Sequence, residues 1–184
     1  MSCITEILKL KGDKEVLLPL DSDGKPWVAV EGGGKYKDYE YLIVLNQSGH
    51  RCGYVAIPSG HKYDLTPLEE REFMGRKREH YDYDSLDINC HGGLTFMERN
   101  HSLKKLLSTP CNDFWIGFDC GHCWDHSDVE AFTKYFGEEE AKEKKTFFDA
   151  MNLQDFEETG SVKTYQYVEA QCQSIIDQLI EKAA

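Results

Sequence analysis

Histidine beside glycine and cysteine, twice over, is where this chain concentrates its chemically capable side chains. The two segments are Cys90-His91-Gly92-Gly93-Leu94-Thr95-Phe96 and Phe114-Trp115-Ile116-Gly117-Phe118-Asp119-Cys120-Gly121-His122-Cys123. Each reads as an apolar strand that runs into polar groups, a common way to build a site. A histidine titrates near neutrality, and a carboxylate can fix its tautomer. His91, Asp119 and His122 are therefore the candidate catalytic residues, with Asp125 and His61 as possible auxiliaries. Thr95 or a cysteine is a candidate nucleophile, although no known nucleophile turn surrounds either. The bland alternative is structural: histidines that bridge strand ends by hydrogen bonds.

Two other chemistries fit the same residues less well. Cys120-Gly121-His122-Cys123 spells the C-G-H-C string of disulfide isomerases. The thioredoxin fold also needs a proline later in the chain, opposite the cysteines, and none follows Pro110. A zinc site would draw on Cys90, His91, Cys120, His122 and Cys123. Neighbours on a strand point to opposite faces, so Cys90 and His91 do not easily share one ion. No second C-x-x-C or H-x-x-H pair completes a four-ligand set. The reading is accordingly no metal and no cofactor. There is no P-loop, no G-x-G-x-x-G and no H-E-x-x-H.

The 184 residues predict one domain, 1–184, large enough to bury a core. The N-terminus lacks the pattern of a signal peptide, and no apolar run is long enough to span a bilayer. The seven cysteines are therefore expected to be reduced thiols in a cytoplasm. Net charge is −12 and unevenly spread. Residues 119–160 carry 12 acidic against 4 basic side chains, whereas residues 1–63 balance at 8 of each. Such a field repels phosphate, so docking on nucleic acid or an anionic membrane is not expected. It favours a basic protein partner, with Glu138, Glu139, Glu140 and Glu143 as the candidate partner-binding residues. Ordinary solubility explains the same charge.

The elements that must position these groups can be read from periodicity. Tyr41 to Leu45 and Cys52 to Ile57 are strands, and Asn46 to His50 is the turn between them. Leu86 to His91 and Phe114 to Asp119 are read as the two strands leading into the histidines. Residues 3–18 fit either a helix or a strand. Residues 67–80 open with Thr66-Pro67 and then run charged, which reads as an exposed helix. Residues 128–136 and 138–152 read as helices within an acidic insertion at about 126–160, and Glu157 to Ser161 as a break. Thr164 is a plausible N-cap for a terminal helix whose stripe is Val168, Cys172, Ile175, Ile176, Leu179 and Ile180. Together these predict an α+β domain on a mostly antiparallel sheet, with a C-terminal amphipathic helix.

Four strings recur as an ordered set: Cys52-Gly53-Tyr54-Val55-Ala56-Ile57-Pro58 with Gly60-His61; His91 to Phe96; Trp115 to His122; and Thr164-Tyr165 with Tyr167-Val168-Glu169 and Cys172. In this the chain resembles a widespread group of small proteins encoded by bacteriophages and prophages, mostly in Firmicutes. The likeness covers residues 40–63, 86–123 and 164–180, with residues 67–80 and 126–160 as departures that look like insertions. It implies a genomic neighbourhood rather than a chemistry. Phage proteins of this size and charge include counter-defence proteins, among them acidic anti-CRISPR proteins. Two expectations follow. The first is a counter-defence protein that binds and inhibits a basic, nucleic-acid-handling host protein such as a CRISPR-associated nuclease. The second is a hydrolase or nucleotide-binding protein acting at His91, Asp119 and His122.

Overall fold

The unbroken apolar run Tyr41 to Leu45 demands a sheet buried on both faces, and the fold supplies a helix for each. The computed structural model describes residues 2–73, 76–82, 86–99, 102–109, 112–152 and 160–183. Helix α1 (Cys3–Lys11) precedes strands β1 (Ala29–Tyr36), β2 (Tyr39–Leu45) and β3 (Arg51–Ile57). Strands β4 (Glu69–Phe73) and β5 (Arg76–His80) form a separate hairpin. They are followed by β6 (Phe96–Glu98), a 3₁₀ turn (Ser102–Leu106) and β7 (Phe114–Asp119). The chain then runs through β8 (Asp125–His126), α2 (Val129–Phe136), α3 (Glu138–Glu143), α4 (Lys145–Asn152), β9 (Ser161–Val162) and α5 (Tyr165–Ala183). The fold is α+β, built on a five-stranded antiparallel sheet of order β1-β2-β3-β7-β6.

Period-two alternation sorts the strand residues between two cores. Tyr41, Ile43, Val55, Ile57, Ile116 and Phe118 face α5, where Val168, Cys172, Ile175, Ile176 and Leu179 are buried against them. Leu42, Val44, Cys52, Ala56 and Trp115 face α1 and its Cys3, Ile4 and Ile7. Gly53 sets the helix–sheet distance. A Cβ there would lie 2.7 Å from Cys172 Sγ and 2.6 Å from the Phe118 ring, so only glycine lets α5 come this close. Thr164 caps α5 as its type predicts, its Oγ1 accepting from Tyr167 N–H at 3.2 Å. Ile180, the last residue of the predicted stripe, is exposed.

Three expectations are corrected. Residues 67–80 contain the paired strands β4 and β5, joined from Glu69↔His80 to Phe73↔Arg76, rather than a helix. That segment has no apolar stripe at helical spacing, so nothing would anchor a helix there. Leu86 to His91 is not a strand either. Leu86 is buried, and Ile88 and Cys90 pack against the α5-side core, but among the described residues the segment pairs with no strand. Left-handed φ at Asp87 (45°), Gly92 (65°) and Gly93 (87°) interrupts extended backbone, and the ladder begins only at Phe96↔Gly117. Finally, Cys3 is disulfide-bonded, so the expectation of reduced thiols fails at that position.

The described residues of the 126–160 segment are anchored on the sheet. Phe132 and Phe148 of α2 and α4 are buried with Ala29 and Leu45 of the sheet. The predicted single helix after Glu138 is two helices, α3 and α4, separated at Lys144. The break expected at Glu157 to Ser161 lies mostly outside the described residues, apart from Gly160 and from Ser161, which belongs to β9. No described helix is long and apolar enough to cross a membrane.

Candidate functional site

The end of β7 and the start of β3 lie side by side, with Asp119 opposite Cys52, and the chemically capable residues gather at this edge. His91 arrives on the loop before β6. Gly93 N–H donates to Cys90 O at 3.0 Å, closing a turn in which Gly92 takes the left-handed position. The loop is fastened to α5 by glutamines: His91 N–H donates to Gln171 Oε1 at 2.9 Å and Asn89 N–H to Gln178 Oε1 at 2.8 Å. His122 and Asp125 share a tight turn after β7, closed by Asp125 N–H donating to His122 O at 2.9 Å. Parallel pairing of Asp125 with Ser161 then places Lys163 and the first turn of α5 beside them.

Asp125 is the centre of the cluster. Its side chain is fully buried. Its Oδ2 lies 2.8 Å from His91 Nε2 and 3.1 Å from His122 Nδ1, and accepts from His122 N–H at 3.1 Å. Burial disfavours the charged carboxylate, but the hydrogen bonds from His91 and His122 outweigh it and hold Asp125 below its ordinary value. An ionised Asp125 only accepts, so the facing nitrogen of each imidazole donates to it. The His91 and His122 rings meet edge to face, with centroids 5.2 Å apart. On its other side, His91 Nδ1 meets the Tyr167 hydroxyl at 2.9 Å. Lys163 Nζ stands 3.4 Å from the second carboxylate oxygen, Oδ1. Trp124 stacks on His122 at 8° and 5.2 Å while remaining 44% exposed.

Behind the cluster lies a rigid base. Arg51 is 7% exposed and makes a two-point contact with Glu31, at 2.7 and 2.9 Å. It also donates to Asp128 Oδ2 at 2.7 Å and to Lys163 O at 2.9 Å. One side chain thereby ties β1, β3, the N-cap of α2 and the approach to α5. His50 is buried beside it. Desolvation pushes its pKa down, against the pull of Asp125 and Asp119. Ser127 spends its hydroxyl on Ser48 O at 2.9 Å, a structural use.

The sequence candidates divide accordingly. His91 and His122 come together. Asp119 does not join them: its carboxylate accepts from Gly121 N–H at 2.9 Å, and Asp125 occupies the position assigned to it. His61 lies past the opposite end of β3, bonded to the Tyr39 hydroxyl at 2.9 Å. Thr95 extends the sheet edge, its N–H donating to Gly117 O at 3.0 Å. Cys90 and Cys120 are poor nucleophiles. Burial raises the Cys90 thiol to about 11 and pushes Cys120 still higher. Among the described residues, His91, His122 and Asp125 are the group of three whose ligand-type atoms all lie within 4.8 Å of one another. Tyr167, Lys163 and Arg51 were not foreseen. Tyr167 did carry a signal, since it falls outside the apolar stripe of α5 on the side that carries Gln171 and Gln178.

The glutamates expected from the sequence to meet a partner sit on α3. Glu138, Glu139 and Glu143 are exposed. Glu139 pairs with Lys142 at 2.9 Å, and Glu140 reaches Lys25 at 2.5 Å. Beside them runs an open groove of about 770 Å³ lined by Val129, Thr133, Ala141 and Phe148. Comparison with models of protein families, with curated proteins and with solved structures finds no match to this chain.

Proposed function

We propose that the chain is a hydrolase that cleaves an ester or phosphoester bond with a water activated at the His91–His122–Asp125 cluster. The observation that carries the reading is the buried Asp125 carboxylate with two imidazoles converging on one of its oxygens. Burying a carboxylate is costly, and a fold that does so at the edge of its sheet holds its partners in fixed orientations. Water adds to the carbon or phosphorus of the scissile bond, and the leaving oxygen departs with a proton. Trp124 offers an aromatic plane against the cluster, which suits a substrate that carries a ring, such as a nucleotide. The resemblance of the sequence to phage and prophage proteins supports a counter-defence use of this activity in a bacterial host.

The test is a panel of nucleotides, cyclic nucleotides and aryl esters incubated with the full chain, with and without added divalent cations, products being resolved by chromatography. Turnover that His91→Ala and His122→Ala both abolish supports the reading. Turnover untouched by either substitution removes it.

The groove beside α3 favours a second reading, in which Glu138, Glu139, Glu140 and Glu143 meet a basic host protein such as a CRISPR-associated nuclease. The ion pairs of Glu139 and Glu140 reduce the charge available there, so the site reading is the better supported. Charge complementarity of this kind would speed encounter more than it tightens the complex.

A further inference from the structure

The contacts around Asp125 Oδ2 are shaped for something more than a histidine–carboxylate hydrogen bond. We infer that His91 Nε2, His122 Nδ1 and the Asp125 carboxylate form a binding site for one divalent first-row transition metal ion of the zinc class. The inference rests on the hydrolase reading for its purpose, but its evidence is separate and reverses the sequence expectation of no metal.

The donor set is the first argument. Two imidazoles and one carboxylate suit zinc and its neighbours, and three protein ligands leave positions open for water and substrate. The second argument is spacing. Ligands at about 2.0–2.1 Å in a tetrahedron stand about 3.3 Å from one another. Asp125 Oδ2 already stands 2.8 Å from one imidazole nitrogen and 3.1 Å from the other, and all the ligand atoms fall within 4.8 Å. An opening of a few tenths of an ångström brings each nitrogen–oxygen contact to ligand spacing.

The third argument is the outer partners. Metal-bound histidines hold their free nitrogen against a fixed group. His91 Nδ1 has the Tyr167 hydroxyl at 2.9 Å, and a hydroxyl both donates and accepts. It therefore serves the imidazole while Nε2 carries a proton, and equally when Nε2 is given to a cation and Nδ1 carries the proton instead. Lys163 attends Asp125 Oδ1 at 3.4 Å, which leaves Oδ2 for the ion. The fourth argument is Gly92. A Cβ there would lie 2.0 Å from His122 Cε1 and Nε2, so the turn is kept bare where the imidazole must stand. The cysteines, which the sequence offered as zinc donors, are not in this group.

The experiment uses the full chain, stripped with a chelator, and titrates it with cobalt(II) and zinc(II). Bound ion is counted by elemental analysis after desalting, and cobalt is followed by its visible absorption and by quenching of Trp124, with Trp124→Phe as the fluorescence control. One ion per chain, lost in His91→Ala and in His122→Ala with circular dichroism unchanged, bears the inference out. Tyr167→Phe should weaken binding about 10- to 100-fold without removing it. The inference is overturned by no retained ion, by retention that both alanine variants leave intact, or by a thiolate-to-cobalt charge-transfer band showing the ion on cysteine. Activity is read separately. Hydrolysis by a chain that retains no ion when cobalt(II) or zinc(II) is added back overturns the metal and leaves the hydrolase. An ion bound as described, with no turnover on any substrate, leaves the metal and overturns the hydrolase.

Discussion

Replacing Gly92 with alanine separates a designed site from an accidental one. Two costs follow from the structure. The residue sits at φ 65°, and a left-handed conformation costs an L-residue about 1–2 kcal/mol. The new Cβ would also lie 2.0 Å from the His122 ring, which must swing away. That ring gives up a hydrogen bond to a charged carboxylate, worth about 1.5–3 kcal/mol, and its stacking on Trp124, worth about 0.5–1.5 kcal/mol. Solvent reaches part of the ring and recovers some of this, so the expected destabilisation is about 2–4 kcal/mol. Gly93→Ala is the control. Its φ is 87°, but nothing lies within 4 Å of the added Cβ, so only the backbone cost of about 1–2 kcal/mol applies. Urea denaturation followed by circular dichroism measures both. If the two variants agree within about 0.5 kcal/mol, the ring contact carries no energy and the reasoning fails.

Arg51→Met should cost about 3–5 kcal/mol in the same denaturation assay, because the Glu31 carboxylate is left buried, and that of Asp128 partly buried, without their cation. Leu179→Ala, at a fully buried position of α5, should cost about 2–5 kcal/mol. Burial works against the charged form of Asp64, but Gly60 N–H and the Arg99 guanidinium outweigh it and hold Asp64 below its ordinary value. A depressed folded pKa gives stability that is present above the unfolded value of about 3.9 and is lost as pH falls through the folded one. Asp64→Asn should therefore lower stability at neutral pH and flatten the loss below about pH 4, as seen in denaturation midpoints taken across pH. Reversing Glu138, Glu139 and Glu143 to lysine should slow association with a basic partner in surface plasmon resonance and leave folding intact. An unchanged association rate would remove the second reading.

Much of the scaffold was legible because its signals are local and periodic. The stripe through Val168, Cys172, Ile175 and Leu179 fixes α5, and the paired runs around Asn46 to His50 fix β2 and β3. The hairpin at β4 and β5 was not, since a charged run without an apolar face fits either state. Leu86, Ile88 and Cys90 alternate as a strand would, but they spend the alternation on the core beside α5 rather than on a ladder. At the site, glycine next to histidine correctly brought His91 and His122 together. The sequence reading puts Asp119 in the cluster and makes Asp125 only an auxiliary. The turn from His122 to Asp125 and the pairing of Asp125 with Ser161 decide otherwise. Tyr167 and Lys163 lie about forty residues further along the chain, and only tertiary structure delivers them.

The central claim is that the cluster around Asp125 does chemistry. Asp125→Asn keeps the shape of the side chain and removes the charge that orients both imidazoles. The decisive measurement is kcat/KM of this variant against the native chain on whichever panel substrate is turned over, with equal folding confirmed by circular dichroism. A loss of about 100-fold or more is predicted, the scale at which positioned proton-handling groups contribute. A variant that folds normally and retains full kcat/KM would contradict the account.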